Sequence, residues 1–197
     1  MFISFEGIEG SGKSTQIERL KLYFQSQGRD VLVTKEPGGT LLGGSLRQLL
    51  LATDTEIKDD HTELLLFFAD RLEHIKCVIQ PALNAGKVVL CDRYIDSTWA
   101  YQRGGRQLSE VIVSGLNGLV TVMPDFTILL DIDPKAGLNR AQKRARLDRF
   151  EQEELVFHQR VRAVYLERAA QYPQRIHVLD AHQSIDDIAR EVMMVVN

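Results

Sequence analysis

The chain has 197 residues, 44% hydrophobic and 26% charged, with a formal net charge of −3 at pH 7. That length suits one domain with a sizeable core, and the composition is that of an ordinary soluble globular protein. The mild negative charge gives no bulk attraction to nucleic acid, no apolar run reaches membrane-spanning length, and Cys77 and Cys91, far apart, read as free buried thiols.

No leader-like stretch precedes Met1 to Phe5, so the expectation is a cytoplasmic chain with neither nucleic acid nor membrane as partner. In chain order, Phe2 to Phe5 reads as a short buried strand. Lys13 to Gln27 reads as a helix, with Ile17, Leu20 and Phe24 at helical spacing and Gly28 as its stop. Val31 to Val33 is a second strand, closed by the turn Glu36-Pro37-Gly38-Gly39. Leu64, Phe68, Leu72, Ile75, Ile79 and Leu83 recur at steps of three and four, predicting one helix over roughly 60 to 85. Val88 to Cys91 and Phe126 to Leu130 are continuous apolar runs, as in strands covered on both faces. Ile176 to Leu179 is the last strand and Ile185 to Val196 a closing helix. Alternation of this kind predicts an α/β three-layer sandwich, a five-stranded parallel sheet with helices on both faces, whose ligands sit at the carboxyl ends of the strands.

Between the first strand and first helix lies Gly7-Ile8-Glu9-Gly10-Ser11-Gly12-Lys13-Ser14-Thr15, which satisfies G-x-x-x-x-G-K-[ST] in the strand–helix setting that motif requires. Its glycines let successive backbone N–H groups turn inward around phosphate oxygens, and the helix adds its positive end. Lys13 is expected on the β- and γ-phosphates and Ser14 on Mg²⁺. A merely flexible glycine turn explains neither the lysine nor the flanking elements. The expected ligand is a nucleoside triphosphate.

The loop alone does not separate a switch, a motor and a kinase. No guanine-reading Asn-Lys-x-Asp occurs. A small-molecule kinase needs an acceptor pocket and arginines around the moving phosphoryl group. Residues 140 to 149, Arg-Ala-Gln-Lys-Arg-Ala-Arg-Leu-Asp-Arg, carry five basic groups against one acid. They read either as a lid over the phosphates or as a solvated basic face; their position after the strand ending at Asp131 favours the lid.

The run from Leu90 to Gln102, LCDRYIDSTWAYQ, leaves a buried strand with an acid and an arginine at its tip. With Glu36-Pro37-Gly38-Gly39, Phe67-Phe68-Ala69-Asp70-Arg71 and Asp148-Arg149-Phe150-Glu151, it resembles thymidylate kinases, from Met1 to about Val195. The resemblance implies ATP, Mg²⁺ and dTMP as ligands and a homodimer. It puts Phe67 on the thymine ring and Arg71 on its exocyclic oxygen, while Phe68 reads as core packing. It sets Arg93 on the acceptor phosphate with Arg47 as a further contact in the same pocket, Thr98 and Gln102 at the remaining edge of the base, and Ser97 among the substrate-binding residues. Tyr101 would fill the space of a ribose 2′-hydroxyl, and Glu9 and Glu36 would meet the 3′-hydroxyl. A glutamate in the loop with arginines in the lid is the bacterial arrangement, which assigns catalytic charge to Arg144, Arg146 and Arg149. Asp92 would orient Mg²⁺ water and Arg93; Asp131 is a rival acid, but Asp133-Pro134 beside it reads as a helix start. Arg140 is expected on adenine, bordered by Ala181 to Gln183. Two other readings stand beside this one: a kinase of another monophosphate or nucleoside, and a regulatory protein that binds ATP without turnover.

Overall fold

The computed structural model describes residues 1–54, 57–143 and 148–197. Five strands form one parallel sheet: β1 (Phe2–Glu6), β2 (Val31–Lys35), β3 (Val88–Asp92), β4 (Phe126–Asp131) and β5 (Ile176–Asp180), in the spatial order β2-β3-β1-β4-β5. All five strands lie where the sequence puts them. β1 is central, buried at every position and paired with β3 and β4, so the chain just beyond its end opens at the middle of the sheet.

Alternate residues of the strands feed two cores. Ile3, Phe5, Val88 and Leu90 pack with α1 (Lys13–Ser26), α9 (Ile185–Val196) and much of α8 (Leu155–Gln171). Phe2, Val89 and Cys91 pack with α3 (Asp60–His74), α4 (Gln80–Asn84) and α6 (Glu110–Asn117). That two-sided burial is why β1 and β3 read as unbroken apolar runs. Phe68 lies 2% exposed in the second core, as expected of a packing residue.

The helix expected over 60 to 85 is one helical run with a π-helical turn at Ile75–Ile79 between α3 and α4. Past β3, α5 (Ile95–Thr98) passes into a second π-helical stretch, Trp99–Gly105. Wide turns of this kind are rare and gather at functional sites. The remaining helices are α2 (Leu41–Leu51), capped by Thr40, and α7 (Pro134–Gln142), whose N-cap Asp133 accepts a hydrogen bond from Ala136 N. The Asp133-Pro134 helix start is thus present. One expectation fails: Cys91 is buried, but Cys77 is exposed, because it sits on the outer side of the first π turn, with its thiol on Glu73.

Candidate active site

The phosphate loop leaves β1 and turns sharply into α1. Gly7, Gly10 and Gly12 all have positive φ. At Gly10 a Cβ would also strike the Gly137 carbonyl of α7, so the loop lies directly on that helix and no other residue fits. Ile8 and Ser11 are buried, whereas Ser14 and Thr15 open to solvent. Lys13 folds back over the loop, its Nζ donating to the carbonyls of Gly7 (2.9 Å) and Ile8 (3.0 Å). Burial, with the positive charge of Arg93 nearby, lowers its pKa to about 8. A phosphate ligand would offset both effects, so the lysine is held where an anion stabilises its charge. The Ser14 hydroxyl stands 3.4 Å from Asp92 Oδ2. Two hard oxygen groups, with room for water and phosphate, suit Mg²⁺. The rival Asp131 is committed elsewhere, its two oxygens taken by Arg162 Nε and Nη2 at 2.7 Å each.

At the tip of β3 the backbone kinks. Arg93 has φ 69, in the left-handed region, and its N–H donates to the Phe5 carbonyl. Consecutive residues therefore point apart: Asp92 towards Ser14, and Arg93 across the loop. Arg93 Nη1 donates to the Gly7 carbonyl and Nη2 to Glu9 Oε1, with the guanidinium 4.9 Å over the Tyr101 ring. Burial alone would raise the Glu9 pKa, but Arg93 holds it well below the usual carboxylate range. Tyr101 Oη donates to the same Glu9 oxygen at 2.5 Å.

A cavity of about 300 Å³ runs from Lys13 and Ser14, past Asp92 and Arg93, to Phe67 and Arg71. Every acceptor-side residue expected from the sequence lines it: Glu9, Glu36, Arg47, Phe67, Arg71, Arg93, Ser97, Thr98, Tyr101 and Gln102. Arg71 is 1% exposed and spread over three partners, Glu36 Oε2, Thr98 Oγ1 and the Tyr94 carbonyl. Arg47 donates to the Pro37 carbonyl. The second Glu36 oxygen faces His74 Nδ1 at 2.9 Å, so this carboxylate is already shared between two side chains of α3. Arg140 reaches the Ala181 carbonyl, joining the two segments expected to border adenine.

Arg144 and Arg146 lie outside the described residues. Arg149 does not line this cavity. It donates to Glu63 Oε2 at 2.7 Å and to the Leu50 carbonyl at 2.9 Å, beside a different cleft. A carboxylate that is 1% exposed offers the guanidinium a stronger partner than open solvent does, and this holds it away from the phosphate loop.

Several residues of the site carried no assignment from the sequence. Glu6, at the end of β1, accepts hydrogen bonds from Tyr94 N, Ser97 Oγ and Tyr165 Oη. Its burial, with the nearby Asp96 charge, lifts its pKa to about 7. His158 is fully buried with Nδ1 3.5 Å from Glu9 Oε2. Phe150 lines the cavity edge-on to Tyr101, ring centroids 5.7 Å apart. Glu63 and His74 had a readable signal: with Phe67 and Arg71, which line the cavity, they recur every three or four residues along one face of α3.

Comparison with known proteins agrees with this geometry. A sequence profile of the family described as thymidylate kinase matches residues 5–192. The chain is 50% identical to a thymidylate kinase of Solidesulfovibrio magneticus, covering 100% of this chain and 98% of that one. It is 46% identical to one from Alcanivorax borkumensis, covering 99% and 95%. The crystal structure of thymidylate kinase from Ehrlichia chaffeensis superposes with a TM-score of 0.81 at 37% identity, over 100% of this chain and 97% of that one.

Proposed function

The chain belongs to the thymidylate kinase family, and from that premise we propose how its residues divide the work of moving a phosphoryl group from ATP to dTMP. The activity itself follows from membership: the enzyme is a dTMP kinase that makes dTDP. The observation that carries the rest is the single cavity with Lys13 at one end, Arg93 beside it and Phe67 with Arg71 at the other.

The attacking atom is a phosphate oxygen of dTMP. Its second pKa of about 6 leaves it largely dianionic at neutral pH, so no general base is required. Repulsion between two phosphates is the larger barrier, and aligned positive charge lowers it. Lys13 binds the β- and γ-phosphates within the loop of Gly7 to Thr15. Ser14 and Asp92 would hold Mg²⁺, which neutralises charge on the donor phosphates. Arg93 clamps the acceptor phosphate, for which a planar fork is suited. Arg144 and Arg146 supply charge at the transferring group. Arg149 anchors the end of the basic run through Glu63 and contributes no charge to the phosphates.

On the acceptor side, Phe67 stacks on thymine and Arg71 addresses its exocyclic oxygen, with Thr98 and Gln102 at the base edge and Ser97 behind them. Tyr101 closes the space at the sugar C2′. Glu9 and Glu36 border the sugar, and Arg47 assists the acceptor phosphate. Arg140 faces adenine. We assign a homodimer on the exposed apolar side chains Leu65 of α3 and Val111 and Ile112 of α6, which belong to helices on one side of the sheet. Among the described residues no helix is long and apolar enough to cross a membrane; the proposed compartment is the cytoplasm, where ATP and dTMP meet. Coupled ADP release measured with dTMP, dUMP, dGMP and thymidine tests the acceptor. Turnover with dTMP well above the other three is expected, and equal rates with thymidine would remove the phosphate clamp from Arg93.

A further inference from the structure

Glu63 sits behind the cavity wall, 1% exposed, yet it touches nothing that reacts. Its carboxylate collects three donors. Gln102 Nε2 reaches Oε1 at 3.0 Å, Arg149 Nη2 reaches Oε2 at 2.7 Å, and Arg106 Nη2 lies at 3.2 Å from Oε2. Flanked by two guanidinium groups, the carboxylate serves as an acceptor only. The primary amide of Gln102 has a donor end and an acceptor end, and only the donor end can face such a carboxylate. The carbonyl is then the end left for the cavity, which Gln102 lines with Phe67, Arg71 and Thr98.

We propose that Glu63 is a positioning residue for base selection: by locking the Gln102 amide, it presents a fixed carbonyl acceptor to the base edge. This rests on the reading of dTMP as acceptor. Thymine carries a proton on N3 and can donate to that carbonyl. Cytosine has a lone pair on N3 and would meet it acceptor to acceptor. Thr98 does not make this distinction, because its hydroxyl, which already accepts from Arg71 Nη1 at 2.7 Å, rotates and can either donate or accept. Arg71 is donor-only in every variant, and Gln102, with its flip removed by Glu63, is the acceptor of fixed sense at that edge.

The test compares kcat/KM for dTMP with that for 5-methyl-dCMP, which differs in its C4 substituent and lacks the N3 proton. In Glu63→Gln the neighbour can itself offer either end, so Gln102 is free to turn. The preference for dTMP should fall about tenfold, one neutral hydrogen bond's worth, with KM for 5-methyl-dCMP decreasing. Glu63→Asp keeps the charge for both arginines, and so the fold, but shortens the reach to Gln102; a fall of roughly threefold in the same direction is expected. In a Gln102→Ala background, Glu63→Gln should change the ratio no further. A ratio unchanged in either folded single variant, with both substrates losing rate in proportion, would overturn the proposal and make Glu63 only a scaffold. Wild-type failure on dTMP would instead sink the acceptor reading, a separate outcome.

Discussion

Replacing Arg149 with alanine separates anchoring from catalysis. The side chain is 17% exposed and its partner Glu63 is 1% exposed. Removing one partner of a buried ion pair costs about 3–5 kcal/mol when the remaining charge has no other partner. Here Arg106 stays within 3.2 Å of Glu63 and absorbs part of that loss. The hydrogen bond to the Leu50 carbonyl adds about 1 kcal/mol, and the packing of the guanidinium 4.6 Å over Phe150 adds a little more. A net loss of about 2–4 kcal/mol should lower Tm by roughly 5–15 °C in a chain of this size. Thermal denaturation by circular dichroism reads the first quantity, and ADP release at a temperature where the variant is folded reads kcat. A large Tm shift with kcat reduced less than about tenfold is expected. Stability unchanged to about 1 °C, together with a kcat loss of about a hundredfold, would refute the anchoring role and return Arg149 to the transferring phosphoryl group.

The lowered pKa of Lys13 makes ATP binding depend on pH. The free enzyme loses this ammonium as pH rises through about 8, while bound triphosphate raises its pKa again; KM for ATP should therefore climb above that pH, with proton uptake on binding detectable by calorimetry in buffers of different ionisation enthalpy. Flat KM values from pH 7 to 9 would contradict it. Tyr101→Ala should narrow the preference for dTMP over its ribonucleotide analogue by about tenfold, mostly by improving the ribo substrate, since the ring lines the cavity and is proposed to close the space at the sugar C2′. A ratio that does not move, whatever the absolute activity, removes Tyr101 from sugar selection.

What could be read from the sequence had a local signature. Strands covered on both faces are continuous apolar runs, and the phosphate loop is a contiguous pattern, so the sheet and the donor end were legible. α2 escaped because Gly43 and Gly44 interrupt its apolar pattern, and α8 because it packs on more than one neighbour, leaving no single apolar stripe. The π turn at Ile75–Ile79 hid within an unbroken helical period. Glu6 looked like the end of a strand; only folding brings Ser97 and Tyr165 to it. Arg149 was read with its charged neighbours, because nothing local announces that Glu63, 86 residues away, claims it. Sequence reading found the groups that line the cavity and missed the groups that hold those groups in place.

The left-handed residue at the tip of β3 ties the proposed metal ligand Asp92 and the proposed acceptor clamp Arg93 to one dihedral pair. A non-glycine residue in this region costs on the order of 1–3 kcal/mol and persists only where its surroundings enforce it. Because Asp92 and Arg93 are adjacent, any change that relaxes the kink displaces the proposed metal ligand and the proposed acceptor clamp together. Neither can be tuned alone. Room for altered acceptor choice lies instead in the opposite wall, where α3 and the π-helical stretch Trp99–Gly105 carry Phe67, Arg71 and Gln102 on separate elements. A redesign towards a new base should begin there and leave the strand tip intact.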